Sequence, residues 1–206
     1  MTRILDHHAF SARPALSRRI FGDRAAQFVT RHGWPLDLSG EGQETDQFDA
    51  PGTEYLIAEE AGVPLASLRL RRARLGSLTE AAFPALWDRH ADRLAGLSEV
   101  TRFCAAPGAD APARRAAVAE LLLGLCRHGG ASGQALVFGI VYPGVARAIR
   151  HAGWDHHRLD RFETDGRETW LCLWACTAET EWRLGEGAAR LAERAAVARQ
   201  QAARAA

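Results

Sequence analysis

Apolar and polar positions follow two periods along this chain, and the changes of period mark its elements. From 13 to 31, Leu16, Ile20, Ala25, Phe28 and Val29 recur at helical spacing, with Gly33 as the stop. Residues 36–53 are polar and Gly-rich, which predicts a loop laid over a rigid scaffold. The runs 55–60 and 64–71 predict two strands joined as a hairpin at Ala61-Gly62. Residues 78–94 predict a helix or an irregular helical excursion with Phe83 and Trp87 on one face, and 99–105 a strand ending at Pro107-Gly108.

The second half alternates more regularly. Residues 113–128 predict a strong helix stopped by Gly129-Gly130. The continuous apolar run 135–142 predicts a strand buried on both faces, and 143–151 a helix with Pro143 in its first turn and Gly153 after its end. Runs 158–162 and 169–176 predict closing strands around Asp165-Gly166, and the Ala/Arg/Glu-rich stretch 179–206 a C-terminal helical extension. This order predicts an α/β chain of the α+β type, a mixed, splayed sheet flanked by helices on both faces. No linker is visible in the 206 residues, so one domain spanning 1–206 is expected.

Composition narrows the function classes. The formal net charge is +1, too small an excess for a chain that binds nucleic acid through phosphate neutralisation. All 26 basic residues are arginine, which excludes Schiff-base chemistry on a lysine amine. Cys104, Cys126, Cys172 and Cys176 lie in apolar segments without a CxxC pair, as expected of reduced, buried thiols. The N-terminus lacks an apolar export signal, and no run approaches the roughly 20 apolar residues that span a bilayer. A cytoplasmic protein with no membrane partner is expected.

Against that background the charges inside strands stand out. Glu99 and Arg102 interrupt the strand-like LSEVTRF, Arg69 sits inside ASLRL, and Asp46 and Asp49 punctuate ETDQFD. Arg24 precedes Phe28 and Trp34 on the first helix and its exit. Burying such groups is costly unless they are paired, so together they point to a polar site. In a regular strand Glu99 and Arg102 fall on opposite faces; for both to serve one cleft the strand must twist, bulge or end there.

Arg24, Phe28, Gly33-Trp34, the ExDxFD element from Glu44 to Asp49, SLRL around Arg69 and EVTRF from Glu99 to Phe103 resemble the signature of the acyl-homoserine-lactone synthases, the autoinducer synthases of quorum sensing. Tyr142-Pro143-Gly144, with Arg147, Ile149, Arg150 and Ala152-Gly153-Trp154, is similar to the helix after that family's fifth strand. Two positions depart: Thr101 stands where serine is commoner, and Val145-Ala146 replaces a frequent Met-Glu. The resemblance implies an N-acetyltransferase-like fold with S-adenosylmethionine as substrate, no permanently bound cofactor, and an acyl-carrier-protein or coenzyme A thioester as acyl donor. The amine of S-adenosylmethionine attacks the thioester, and the methionyl carboxylate then displaces methylthioadenosine to close a lactone.

Each residue is assigned against that chemistry. Glu99 is the expected general base, since the attacking amine must lose a proton. Asp46 and Asp49 are expected to attract the substrate's sulfonium and ammonium, while Arg69 and Arg102 pair with the acids and orient the carboxylate. Trp34 and Phe28 offer aromatic faces to the sulfonium or adenine, and backbone N–H groups near Phe103 offer an oxyanion site if the strand bulges.

The simpler alternatives stand beside these. Arg24 serves equally well as a tie between the first helix and the sheet, and Phe83 and Phe103 as core or substrate contacts; Thr101, which preserves a hydroxyl, is a candidate substrate contact. Val137, Ile140 and Val141 are candidate acyl-pocket residues, though any buried strand reads this way. Arg114 and Arg115 open a helix, where a phosphopantetheine phosphate would be favoured. His156-His157 has no third ligand at matching spacing, so no metal is expected. Two other functions share these features: an N-acyl amino acid synthase that does not lactonise, and a non-catalytic regulator that binds acyl-carrier protein.

Overall fold

In the computed structural model, which describes residues 1–205, the chain begins with two elements the pattern does not signal. A short strand β1 (Thr2–Asp6) turns directly into helix α1 (His7–Ser11). Asp6 caps that helix by accepting from the Ala9 N–H at 2.7 Å. Helix α2 (Pro14–Arg24) follows with Pro14 in its first turn, widens into a π-helical segment at Ala25–Arg31, and stops before Gly33 at φ 69°.

Strands β2 (Thr53–Glu60) and β3 (Val63–Arg72) form the expected hairpin. Its two turn residues, Ala61 and Gly62, both have positive φ, the tight mirror-image turn that matches strand twist. The excursion after it is two helices, α3 (Leu78–Ala82) and α4 (Pro84–Leu94). They break at Phe83, whose φ of −137° and ψ of 61° leave the helical region, which Pro84 disfavours for its predecessor.

Strand β4 (Ser98–Ala105) leads to α5 (Ala111–Ala131), capped by Asp110 at 2.8 Å from the Ala113 N–H. The expected stop at Gly129-Gly130 does not occur, and α5 runs through both glycines. Gly129 serves packing instead: a Cβ there would lie 2.5 Å from the Cys176 Sγ. The chain then gives β5 (Leu136–Val141), α6 (Pro143–His151), β6 (His156–Thr164), β7 (Arg167–Ala175) and the long α7 (Ala178–Ala205).

The seven strands lie in the order β1-β2-β3-β4-β5-β7-β6, antiparallel throughout except for the parallel pair β4–β5. Helix α5 covers one face of β2 and β3, where Leu56, Leu68 and Leu70 meet Leu121, Leu122 and Leu125; α7 packs on α5. The other face carries α1 and α2 over Tyr55 and Ile57, and α4 over Phe138 and Leu171. Val137 faces α5 and Phe138 faces α4, so β5 is buried on both sides, as its unbroken apolar run requires. The architecture is the mixed sheet with helices on both faces that the element order predicts.

Candidate functional site

The loop between the first helical segment and β2 carries Glu44, Asp46 and Asp49 over the sheet face that bears Tyr55, Arg69 and Thr101. Asp46 shapes this loop by accepting from the Phe48 N–H at 2.8 Å, and Asp49 by accepting from the Asp46 N–H at 3.0 Å. Phe48 buries itself beneath the guanidinium of Arg69, 5.7 Å from ring centroid to Cζ.

Six charges then close into a ring. Glu44 accepts from Arg24 Nε at 2.6 Å, and Arg24 grips both oxygens of Asp49 at 2.9 Å. Asp49 lies 3.2 Å from Arg69, and Arg69 binds Asp46 through both of its terminal nitrogens. Asp46 accepts from Arg102 at 2.8 Å, and Arg102 Nε returns to Glu44 at 3.0 Å. Three carboxylates alternate with three guanidinia, every acid bridging two bases, so the ring is neutral. Arg24, Glu44 and Arg69 are each only 1% exposed, a burial that full pairing makes tolerable. Tyr55 adds a phenolic donor to Asp49 at 3.0 Å.

Burial raises the Asp49 carboxyl, but the hydrogen bonds and charge of Arg24 outweigh it and leave its pKa at about 2. Asp46 is lowered by the same balance of burial against Arg69 and Arg102. Both therefore stabilise the fold fully above the unfolded value of roughly 4, and that stabilisation is lost as pH falls toward 2. Urea midpoints should hold between neutrality and about pH 5, then fall steeply, with Asp49 alone contributing on the order of 2 kcal/mol. An Asp49→Asn variant should show a shallower acid limb.

Arg102 reaches the ring through a bulge. Arg69 pairs with Thr101 and Ser67 with Cys104, so Arg102 and Phe103 together face Leu68 alone. Arg102 takes φ 53°, unusual for a side chain of its size, and this rotates its guanidinium to the side of Thr101. Glu99, two residues before Thr101, already faces that side. The bulge thus brings Glu99 and Arg102 to one cleft. Thr101 accepts from Arg69 Nε at 2.9 Å, which fixes its hydroxyl to the ring. The Glu99 carboxylate, 3% exposed, sits on the N-terminus of α3: it accepts from the Leu78 N–H at 2.7 Å, the Thr79 N–H at 2.8 Å and the Thr79 hydroxyl at 2.6 Å.

Beyond Glu99 the sheet opens. Strands β4 and β5 pair only at Ser98–Val137 and Glu99–Phe138 and diverge thereafter. At the start of the split, a Cβ on Gly139 would lie 2.8 Å from the Val100 carbonyl oxygen, so only glycine fits. A cavity of about 430 Å³ passes through this gap and has lining on both faces of the sheet. On the ring side it is lined by Glu99, Thr101, Arg102, Phe83 and the stacked pair Phe28–Trp34, whose centroids are 4.9 Å apart. Trp34 Nε1 donates across the mouth to the Tyr142 hydroxyl at 3.2 Å. On the α5 side the walls are apolar: Phe103, Leu122, Leu125, Val137, Val141 and Trp174. Ile140 also lines the cavity while packing toward α4.

The chain therefore has a charged ring with a cavity in front of it. Arg24, Asp46, Asp49 and Arg69 belong to the ring and are absent from the lining, while Arg102 belongs to both. Arg114 and Arg115 stand in the first turn of α5, half-buried and exposed respectively, outside the lining. Among the described residues no group of three or more His, Cys, Asp and Glu side chains is placed to hold a metal ion, and no helix is long and apolar enough to cross a membrane. Glu44 and Tyr142 stand inside motifs the sequence displays but carry no assigned role there; Thr79, which holds Glu99, has no local signal in the sequence.

The family model for autoinducer synthases matches residues 9–183. The chain is 31% identical over 174 residues to an acyl-homoserine-lactone synthase of Pseudomonas amygdali pv. tabaci, covering 82% of this chain and 74% of that protein. The chain belongs to the autoinducer synthase family. A second acyl-homoserine-lactone synthase, from Rhizobium etli, is 30% identical over 199 residues, covering 95% of this family member and 93% of its relative. The autoinducer synthase fold extends to the CoA-dependent acyl-homoserine lactone synthase BjaI, solved with SAM and isopentyl-CoA. That structure superposes with a TM-score of 0.78 at 19% identity, covering 92% of this chain and 89% of BjaI.

Proposed function

We propose that this chain makes an acyl-homoserine lactone from S-adenosylmethionine and an acyl thioester. The observation that carries the reading is the cavity through the sheet, with an aromatic and polar half, an apolar half, and the Glu99 carboxylate lining it. S-adenosylmethionine occupies the half under Phe28, Trp34 and Phe83, where aromatic faces suit a sulfonium. The ring is neutral, so Asp46 and Asp49 act through it: with Arg24 and Arg69 they hold Arg102 and Thr101 in place. Arg102 then meets the methionyl carboxylate.

Glu99 takes the proton from the ammonium, directly or through water, and the freed amine attacks the thioester carbonyl. A C–N bond forms, the C–S bond of the thioester breaks, and the carrier thiol leaves. The oxyanion is met by backbone N–H groups at the Arg102–Phe103 bulge. The methionyl carboxylate oxygen next attacks the carbon bearing the sulfonium, and methylthioadenosine departs as the lactone closes. The acyl chain lies in the apolar half with Val137 and Val141, and Arg114 and Arg115 receive the phosphopantetheine phosphate of a carrier protein or coenzyme A. The chain acts as one synthase domain in the cytoplasm, with α7 as its helical extension; position 206 of the expected extension lies outside the described residues.

Mixing the protein with S-adenosylmethionine and a panel of acyl thioesters should release methylthioadenosine together with free thiol. Thiol release without methylthioadenosine would identify an N-acyl amino acid synthase instead, and neither product from any donor would sink the reading.

A further inference from the structure

We infer that Val137 is the end wall of the acyl half of the cavity and sets the longest acyl chain the enzyme accepts; this rests on the synthase reading above. A second cavity of about 330 Å³ lies on the same side of the sheet, and Val137 lines both. The other walls step from one to the next in register. On β3, Leu68 lines the first cavity and Leu70 the second; on α5, Leu125 lines the first and Gly129, one turn on, the second. Val137, 1% exposed, therefore stands as a partition between two spaces along one groove.

The two spaces differ in chemistry. The second holds the hydrogen-bonded pair His128–Glu54 at 3.0 Å, together with Arg72, Ser132 and Gln134. Gln134 is 7% exposed, and its buried side-chain oxygen has no hydrogen-bond partner among the described residues. An alkyl tail entering there would cover polar groups without satisfying them, so the partition also keeps the tail in apolar surroundings. The backbone of the partition is held on both sides, because Val137 pairs with Ser98 of β4 and Trp174 of β7. Side-chain size at this position, rather than strand movement, then decides how far the tail reaches.

The test compares wild type, Val137→Ala and Val137→Ile on a graded series of straight-chain acyl thioesters. Lactone formation is read as kcat/KM, and calorimetric binding is measured with unreactive thioether analogues of the same lengths. For Val137→Ala, preference for a chain about two carbons beyond the wild-type optimum should rise about tenfold. Val137→Ile, which keeps the core filled, should move the optimum toward shorter chains by a similar factor. An unchanged length profile in both variants would overturn the assignment. If wild type turns over no thioester, the synthase reading fails, while the binding profiles still decide the role of Val137.

Discussion

Arg24→Ala is expected to destabilise the fold by about 3–5 kcal/mol, the usual cost of breaking a buried ion pair from one side. Arg24 is 1% exposed and makes three charge-assisted bonds, one to Glu44 and two to Asp49. Its removal leaves three carboxylates facing two guanidinia, with Glu44 itself 1% exposed. Arg24→Lys should recover only part of the loss, because an ammonium cannot grip both Asp49 oxygens in one plane. Pairing Arg24→Met with Asp49→Asn should be milder than the two single changes summed, since together they remove one positive and one negative charge. Urea unfolding of the four proteins at neutral pH measures the cycle. Strict additivity would mean the ring does not act as a unit.

Most of the ring was legible in the chain, because arginines and aspartates inside apolar strands are conspicuous and their pairing is the cheapest way to bury them. Its closure was not, since Glu44 becomes a bridge only when a polar loop folds back over a sheet face. The position of Arg102 depends on a bulge that the alternation rule forbids and that no glycine announces. A non-glycine residue at φ 53° there is held by its two carboxylate partners, Glu44 and Asp46. Other differences have local causes. Five residues were too few for β1 to show a period, and Gly129, whose meaning in sequence is a helix end, is explained by a sulfur pressed against its backbone. The sheet order and the division of the cavity into aromatic and apolar halves follow from long-range pairing, which no local window contains.

Glu99→Gln is expected to lower turnover by about 10²–10⁴-fold while leaving the fold largely intact. The carboxylate offers about four acceptor positions, and α3 occupies three of them: two on Oε1 from Thr79 and one on Oε2 from Leu78. What remains on Oε2 can meet the substrate amine or a water on it. A glutamine can keep its oxygen toward Thr79, but its NH2 then faces the Leu78 N–H and has no basic lone pair for the cavity. The anchoring of α3 weakens by one bond, worth about 1–2 kcal/mol, and the base is lost outright. Thr79→Val separates the two effects, because it removes one anchoring bond and leaves the carboxylate. Its methylthioadenosine release should stay within about tenfold of wild type, since one hydrogen bond to the carboxylate is still worth less than the general base itself. Equal losses in Glu99→Gln and Thr79→Val would make Glu99 a clamp on α3, and the proton would then need another acceptor in the cavity.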